Sequence, residues 1–280
     1  MFELLATSTL TFPQIDPIML SIGPLDIRWY SMAYIAGITF AWWYIRRLAK
    51  QPGAAMSPTH IDDFITWALL GIIIGGRLGY VLFYRPESYM ADPMAILRLW
   101  DGGMSFHGGF TGVVLAVIFY ARKHKLDLMR IADVVAIVSP VGLLTGRLAN
   151  FINGELWGRA TAPDAWYGMI FPSDPALLPR HPSQLYEAFG EGIILFILLQ
   201  LLYHKTRIAK EMPGALAGIF IAGYGIIRIL IENVREPDVG VAFIAGLSRG
   251  QLLSVPMFLL AAWLISKGLR HRAEIRKKGK

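Results

Sequence analysis

The sequence contains no cysteine, which excludes disulfide bonds, thiolate metal sites and a covalent cysteine mechanism. Acidic and histidine residues are not clustered at ligand spacing either, so the sequence predicts neither a metal nor a cofactor. Charged residues make up only 17% of the chain, against about a quarter in soluble domains. These absences argue against a secreted or soluble globular protein and favour a membrane protein.

The chain contains long runs of apolar residues. Of its 280 residues 55% are hydrophobic, and the runs approach the length of about 20 residues that a helix needs to cross a bilayer. The sequence predicts an all-α integral membrane protein with about seven transmembrane helices, of which the third is short, so that six or eight remain alternatives. The predicted spans are 28–48, 61–84, 106–121, 131–152, 183–203, 213–233 and 250–268.

We find no linker, low-complexity tract or soluble domain, and predict one polytopic membrane domain over residues 1–280. Residues 28–268 form its transmembrane bundle, and 269–280 form a basic cytoplasmic tail. Residues 1–27 contain three prolines and lack a basic segment typical of signal peptides, so we expect an N-terminal outer arm lying on the membrane surface.

Basic residues collect after every second predicted span, and by the positive-inside rule these loops face the cytoplasm. With seven spans the N-terminus is outside, the C-terminus is cytoplasmic, and the formal charge of +7 is a topology signal rather than a sign of nucleic-acid binding. The inner basic residues are Arg46, Arg47, Lys50, Arg122, Lys123, Lys125, Arg130, Lys205, Arg207, Lys210 and those of 267–280.

Lysine is absent from all the other segments, where every basic residue is arginine. The arginine fork grips phosphate or carboxylate with two parallel bonds, which lysine cannot do. Arg147, in GRLANFINGELWG (Gly146–Gly158), ends an apolar helix together with two amides. An arginine in lipid costs roughly 2.5–3.5 kcal/mol on insertion scales unless it meets an anion, a polar partner or water. We therefore predict an anion site on the outer side.

Helix rise places Arg77, Arg147 and Arg228 about 21–24 Å beyond the inner ends of their spans, in the outer half of the bundle. A structural role is the alternative for each. Arg147 and Arg228 have the acids Glu155 and Glu232 nearby, and Glu232 follows Arg228 by one helical turn. If the role of Arg77 is structural, we expect its side chain either to form an ion pair or to extend toward the membrane surface (snorkelling).

Other polar residues near this level also have two interpretations. His107 lies between glycine pairs in WDGGMSFHGG (Trp100–Gly109) and is either structural or a general base, because histidine exchanges protons near neutral pH. Tyr30 is typical of an interfacial belt residue. Glu187, at the start of a span, needs a partner, and His181 is interpreted as structural. The spacing of Gly71, Gly75 and Gly79 predicts a ridge for close helix packing.

Several long motifs resemble those of the bacterial prolipoprotein diacylglyceryl transferases, in family order and over most of the membrane body. Besides the two quoted above, they are GGRLGYVLFY (Gly75–Tyr84), RHPSQLYE (Arg180–Glu187) and GYGIIRILIENVREPD (Gly223–Asp238). One departure is Ala149, where the family usually has glycine.

The resemblance implies transfer of the diacylglyceryl group of phosphatidylglycerol to the lipobox cysteine of prolipoproteins, with release of glycerol phosphate, in the bacterial cytoplasmic membrane. It implies that Arg147 and Arg228 bind the phospholipid head group, with His107 as an important histidine. The other matching positions are the catalytic candidates Tyr30, Asn150 and Glu155, which join His107, and the lipid-binding candidates Gly158, Glu232 and Arg235.

Two alternatives belong to other classes. A lipid flippase or anion transporter could use the same arginines as a binding station, but it would need sites on both faces, whereas these charges lie in one half. A structural scaffold explains the glycine ridge but does not explain Arg147, Asn150 and Glu155 together.

Overall fold

The computed structural model describes residues 9–23, 25–236 and 249–278. The chain is mostly helical. Its α-helices are α1 (Trp29–Leu48), α2 (Pro58–Phe83), α3 (Pro86–Ala91), α4 (Phe106–His124), α5 (Leu128–Ala136), α6 (Ser139–Ile152), α7 (Ser183–Glu187), α8 (Leu195–Lys205), α9 (Ile208–Glu211), α10 (Ala215–Glu232) and α11 (Arg249–Lys278). Two 3₁₀ turns, Pro93–Leu97 and Leu99–Asp101, follow α3, and a π-helical segment, Ala188–Ile194, joins α7 to α8.

Short strands correct the expectation of an all-α fold. They are β1 (Leu10–Thr11), β2 (Ile18–Ile22), β3 (Leu25–Arg28), β4 (Met169–Ile170) and β5 (Pro179–Arg180). β4 pairs in parallel with β1 and in antiparallel with β5, while β2 and β3 form an antiparallel pair. Segments this short carry too little alternation of apolar and polar residues to be recognised as strands in the sequence.

Among the described residues, five helical stretches are long and apolar enough to cross a membrane, in agreement with five of the predicted spans. They are Pro58–Phe83, Leu128–Ile152, Ser183–Lys205, Ala215–Glu232 and Gly250–Lys278. The other two predicted spans coincide with α1 and α4. The chain is therefore a multi-pass membrane protein by length and composition, and the count of seven stays a prediction.

Contacts between residues divide the chain into two compact units. The first comprises the described residues of Met1–Ala41 and Val135–Lys280, and the second comprises Trp42–Val134. The single polytopic domain stays a prediction.

In the second unit α2 and α4 pack backbone to backbone, which confirms the predicted glycine ridge. A Cβ atom on Gly71 would lie 2.6 Å from the carbonyl oxygen of Gly112, and one on Gly112 would collide with the carbonyl of Gly71. Only residues without a side chain allow this approach. The sequence identified the ridge on α2 but not its partner on α4.

In the first unit the π-helical segment packs closely against α6 and α10. A Cβ atom on Gly192 would lie 2.7 Å from Cβ of Leu144, on α6, and one on Gly190 would lie 2.8 Å from Cγ2 of Ile227, on α10. Small residues thus bring three helical segments together. Acidic side chains of the α7 and π-helical segments consequently lie beside arginines of α6 and α10.

Candidate active site

Arg147, on α6, contacts two glutamates of the α7 and π-helical segments. Its Nε lies 3.3 Å from Oε2 of Glu187 and 3.3 Å from Oε2 of Glu191, and its Nη2 donates to the same Glu191 oxygen at 3.3 Å. Both glutamates are fully buried, whereas Arg147 keeps a small exposed fraction. Because a buried carboxylate needs a cation or donors, these contacts offset the desolvation of both partners.

Two further arginines contact the carboxylate of Glu187. Nη1 of Arg228 donates to Oε1 of Glu187 at 3.0 Å, and Nη1 of Arg235 donates to that oxygen at 2.9 Å. Nη2 of Arg228 also pairs with Oε2 of Glu232 at 3.0 Å. We call Arg147, Arg228, Arg235, Glu187, Glu191 and Glu232 the arginine–glutamate cluster. It carries three positive and three negative charges when every carboxylate is ionised.

The cluster confirms two expectations and corrects a third. Arg228 pairs with Glu232 as predicted, and Glu187 has the partners that its burial requires. Glu155, expected near Arg147, instead takes an amide, while the partners of Arg147 come from the α7 and π-helical segments. Sequence analysis missed Glu191, although an acidic residue within an apolar span was a signal that could have found it.

Asn150 and Glu155 interact with each other at the end of α6. Nδ2 of Asn150, whose side chain is buried, donates to Oε1 of Glu155 at 2.8 Å. Nε2 of Gln184 donates to the backbone carbonyl of Glu155 at 2.7 Å, which ties this turn to α7. The hydrogen bond from Asn150 thereby holds the carboxylate of Glu155 next to the end of α6. Ala149, the departure from the family motif, is buried beside Asn150.

Gly158 lies where three chain segments meet. Its N–H donates to the carbonyl of His181 at 2.8 Å, and it forms an antiparallel bridge with Arg235. A Cβ atom here would collide with the carbonyl of Val234 and lie 2.8 Å from Cβ of His181. The described contacts of Gly158 therefore position the backbone of Arg235, and direct lipid binding by Gly158 stays a prediction.

A charged side chain braces the loop at 153–182. Nε and Nη2 of Arg180 donate to the two carboxylate oxygens of Asp174 at 2.6 and 3.1 Å, and its guanidinium lies 3.8 Å from the ring centroid of Trp157. The hydrogen bond from Arg180 holds the pKa of Asp174 below its usual range. Nη1 of Arg180 also donates to Oε2 of Glu236 at 3.2 Å, which connects the loop to the residues after α10.

His181 has the structural surroundings expected of it. Its ring stacks on Tyr167 at 5.3 Å, and burial lowers its pKa, which favours the neutral form of the ring.

Two candidates have described contacts of their own that do not include residues of the cluster. Tyr30 begins α1 in the first unit, and its ring contacts Tyr34 at 5.4 Å. His107 is exposed in the first turn of α4 in the second unit. That His107 and the arginines share one layer stays a prediction.

The arginines of the cluster have N–H donors that could meet an anionic group. A guanidinium has five N–H donors in a planar fork, more than the carboxylates in the described part of the chain engage on Arg147 or Arg228. The glutamates fix the orientation of these forks. Among the described residues no group of three or more His, Cys, Asp or Glu is arranged to hold a metal ion.

Comparison with known proteins shows the family to which this chain belongs. Residues 17–267 match the family described as prolipoprotein diacylglyceryl transferase. Three relatives carry the name phosphatidylglycerol–prolipoprotein diacylglyceryl transferase. The protein from Rhodospirillum centenum is 49% identical over 92% of this chain and 93% of its own. That from Bradyrhizobium diazoefficiens is 50% identical over 94% of both chains, and that from Rhodospirillum rubrum is 51% identical over 89% of this chain and 91% of its own. The chain therefore belongs to the prolipoprotein diacylglyceryl transferase family.

Proposed function

We propose that this chain transfers the diacylglyceryl group of phosphatidylglycerol to the thiol of the lipobox cysteine of a prolipoprotein. The activity is that of relatives about half identical over nine-tenths of the chain. The observation that carries it is the meeting of Arg147 and Arg228, from two different helices, at the buried carboxylate of Glu187.

The reaction needs one bond made and one broken. The cysteine sulfur attacks the carbon of the diacylated glycerol that bears the phosphate. A C–S bond forms while the C–O bond between this carbon and the phosphate breaks. The electron pair of that bond leaves with the phosphate as glycerol phosphate, and the thiol proton goes to a base. The products are a thioether and a phosphate monoester.

The arginine forks suit the leaving group. Negative charge grows on the phosphate as the C–O bond breaks, and preoriented donors in a water-poor site stabilise such charge more than water does. We assign this role to Arg147 and Arg228, with Glu187, Glu191 and Glu232 holding their orientation. Arg235 and Gly158 complete the lipid site, because the bridge between them positions the third arginine of the cluster.

His107 is our assigned base for the thiol. A thiol with a free pKa of about 8.5 is mostly protonated at neutral pH and must lose its proton to attack. His107 is exposed at the start of α4 and so open to a substrate. Asn150 and Glu155, joined by their hydrogen bond, and Tyr30 are proposed to orient the substrates.

The site faces the outside of the bacterial cytoplasmic membrane in this proposal. The N-terminus is outside and the C-terminus is cytoplasmic, so the polar site lies in the outer half of the bundle. An exported prolipoprotein presents its cysteine on that side.

Purified protein in phosphatidylglycerol vesicles with a lipobox peptide tests the function. The expected result is a peptide whose cysteine gains the mass of one diacylglyceryl group, with release of glycerol phosphate in equal amount. A matched peptide with serine in place of that cysteine should stay unmodified. Movement of lipid between leaflets without peptide modification would contradict the proposal and support the flippase alternative.

A further inference from the structure

Arg77, on α2, is buried without an acidic partner in the described part of the chain. Its side chain instead donates to backbone carbonyls of the segment after α3, and the residue is only 4% exposed. The acceptors are Ile96 at 2.9 Å, Gly103 at 3.1 Å, Ala95 at 2.6 Å, Arg98 at 2.9 Å and Gly102. Among the described residues Arg77 thus forms hydrogen bonds to carbonyls instead of the ion pair considered for it, and the snorkelling role stays a prediction.

The segment that Arg77 holds has little other attachment. None of the side chains of α3 or of the two 3₁₀ turns is buried. Its large apolar residues point outward, with Met90 73%, Leu97 67% and Trp100 80% exposed. Residues 86–101 therefore bury no core of their own. Three carbonyl bonds to the Arg77 guanidinium, together with the contacts of the Tyr89 ring with Arg77 and Tyr80, are their described connections to α2.

The same bonds lead directly to His107. Gly102 and Gly103 both have positive φ, 78° and 83°, which turns their carbonyls toward Arg77. Two residues later the N–H of Ser105 donates to the carbonyl of Gly76 at 2.9 Å. The Oγ of Ser105 then accepts from the N–H of Gly108 at 3.2 Å and caps the first turn of α4, which carries His107.

The geometry points to Arg77 as a positioning residue for His107. It fixes the chain at Gly102–Gly103, and this fixes the cap and the first turn of α4. The inference rests on the proposed function, in which His107 takes the thiol proton. Arg77 itself touches no substrate in this account. Its loss acts through the placement of His107.

Kinetics of purified full-length variants in phosphatidylglycerol vesicles test this role. Arg77→Gln should lower kcat for peptide modification at least tenfold while KM for phosphatidylglycerol changes less than twofold, since the arginine–glutamate cluster is untouched. Arg77→Lys should lie between wild type and Arg77→Gln, because an ammonium group offers three donors where the guanidinium offers five. Arg85→Gln, at the exposed arginine directly before α3, is the control and should leave kcat unchanged.

A double-mutant cycle separates positioning from general destabilisation. In a His107→Gln background the further change Arg77→Gln should alter kcat less than twofold, because the group that it positions is already gone. The same tenfold loss in both backgrounds would overturn the inference. If Arg77→Gln is not recovered folded, the cycle is run with Arg77→Lys and the same criterion.

A spin label tests the clamp without activity. Leu97→Cys in this cysteine-free chain places the label on the held segment, and Arg77→Gln should increase its mobility, while Arg85→Gln should not. Unchanged mobility would overturn the inference even if activity falls. If the wild type shows no transfer at all, the proposed function fails, whereas the mobility result still decides the clamp.

Discussion

Glu187 accepts ion pairs from three arginines that come from α6, from α10 and from the residues after it. A fully buried carboxylate with this many cations is a centre of orientation, because each guanidinium is drawn to the same two oxygens. Removing one partner from a buried ion pair costs about 3–5 kcal/mol, since the other charges are left uncompensated. The geometry of the cluster thus depends on a residue that is itself sealed from substrate.

Arg147→Lys should lower peptide modification about 10²-fold or more, although the charge is retained. The guanidinium uses Nε and Nη2 together toward Glu187 and Glu191, which a single ammonium group cannot reproduce. Loss of one preoriented donor to a developing anion has an effect of this size. Arg270→Lys, at an exposed position of α11, is the control, and full activity of Arg147→Lys at equal yield would contradict bidentate recognition.

His107→Gln should still bind phosphatidylglycerol but transfer it about 10²–10⁴-fold more slowly, the range expected for a lost general base. Raising the pH toward the pKa of the peptide thiol should partly restore the variant, because the solution then supplies thiolate. Lipid binding and the pH profile of kcat are the measurements. A variant that loses lipid binding, or whose rate does not depend on pH, would make His107 a structural or head-group residue.

At the scale of elements, the contact between α2 and α4 depends on the absence of side chains. Gly112→Ala should strongly destabilise the protein, because the new methyl group would overlap the backbone of Gly71 and the helices would have to separate. Gly142→Ala, on α6, is the matched control, since a Cβ atom there meets nothing within 4 Å. Thermal unfolding in detergent compares the two, and equal midpoints would refute the close contact.

The brace between Arg180 and Asp174 predicts a pH effect on the loop at 153–182. The pKa of Asp174 is lowered in the folded state, so its contribution to stability is present above the unfolded value of about 3.9 and disappears as the pH falls through the folded value. The protection factors of the amides in this loop, which are exchange rates corrected for the intrinsic effect of pH, should fall below pH 4 but stay constant between pH 6 and 8. In Asp174→Asn the protection factors should be low already at neutral pH. An Asp164→Asn control, at an exposed position, should behave as wild type.

At the scale of the whole molecule, the positive-inside pattern predicts opposite exposure of two loops. Single cysteines at Asp164 and Arg207, introduced into this cysteine-free chain, should label from opposite sides of the membrane with an impermeant maleimide. Asp164→Cys should react in intact cells, and Arg207→Cys only after permeabilisation. Reaction of both sites from the cytoplasmic side would reverse the proposed orientation.

Sequence reasoning identified five long apolar helical stretches, because apolar length is a property of each segment by itself. It also identified that Glu187 needs a partner, because a buried carboxylate without one destabilises the folded state. It could not identify which residue meets which. The pairing of Arg147 with Glu191 depends on the close packing of α6 with the π-helical segment. Arg77 donates to backbone carbonyls, and every residue has one, so the sequence does not indicate which of them accept. Strands of two residues are too short to show the alternation of apolar and polar residues by which a strand is recognised in a sequence.

The glycine contact between α2 and α4 also limits where a lipid can travel. Where a Cβ atom on Gly71 would lie only 2.6 Å from the carbonyl of Gly112, the two helices leave no gap that a hydrocarbon chain could occupy. Opening such a gap would break backbone contact along several turns, from Gly71 to Gly79 on α2. We therefore expect these two helices to act as a closed wall and the acyl chains of donor and product to pass through another side of the protein.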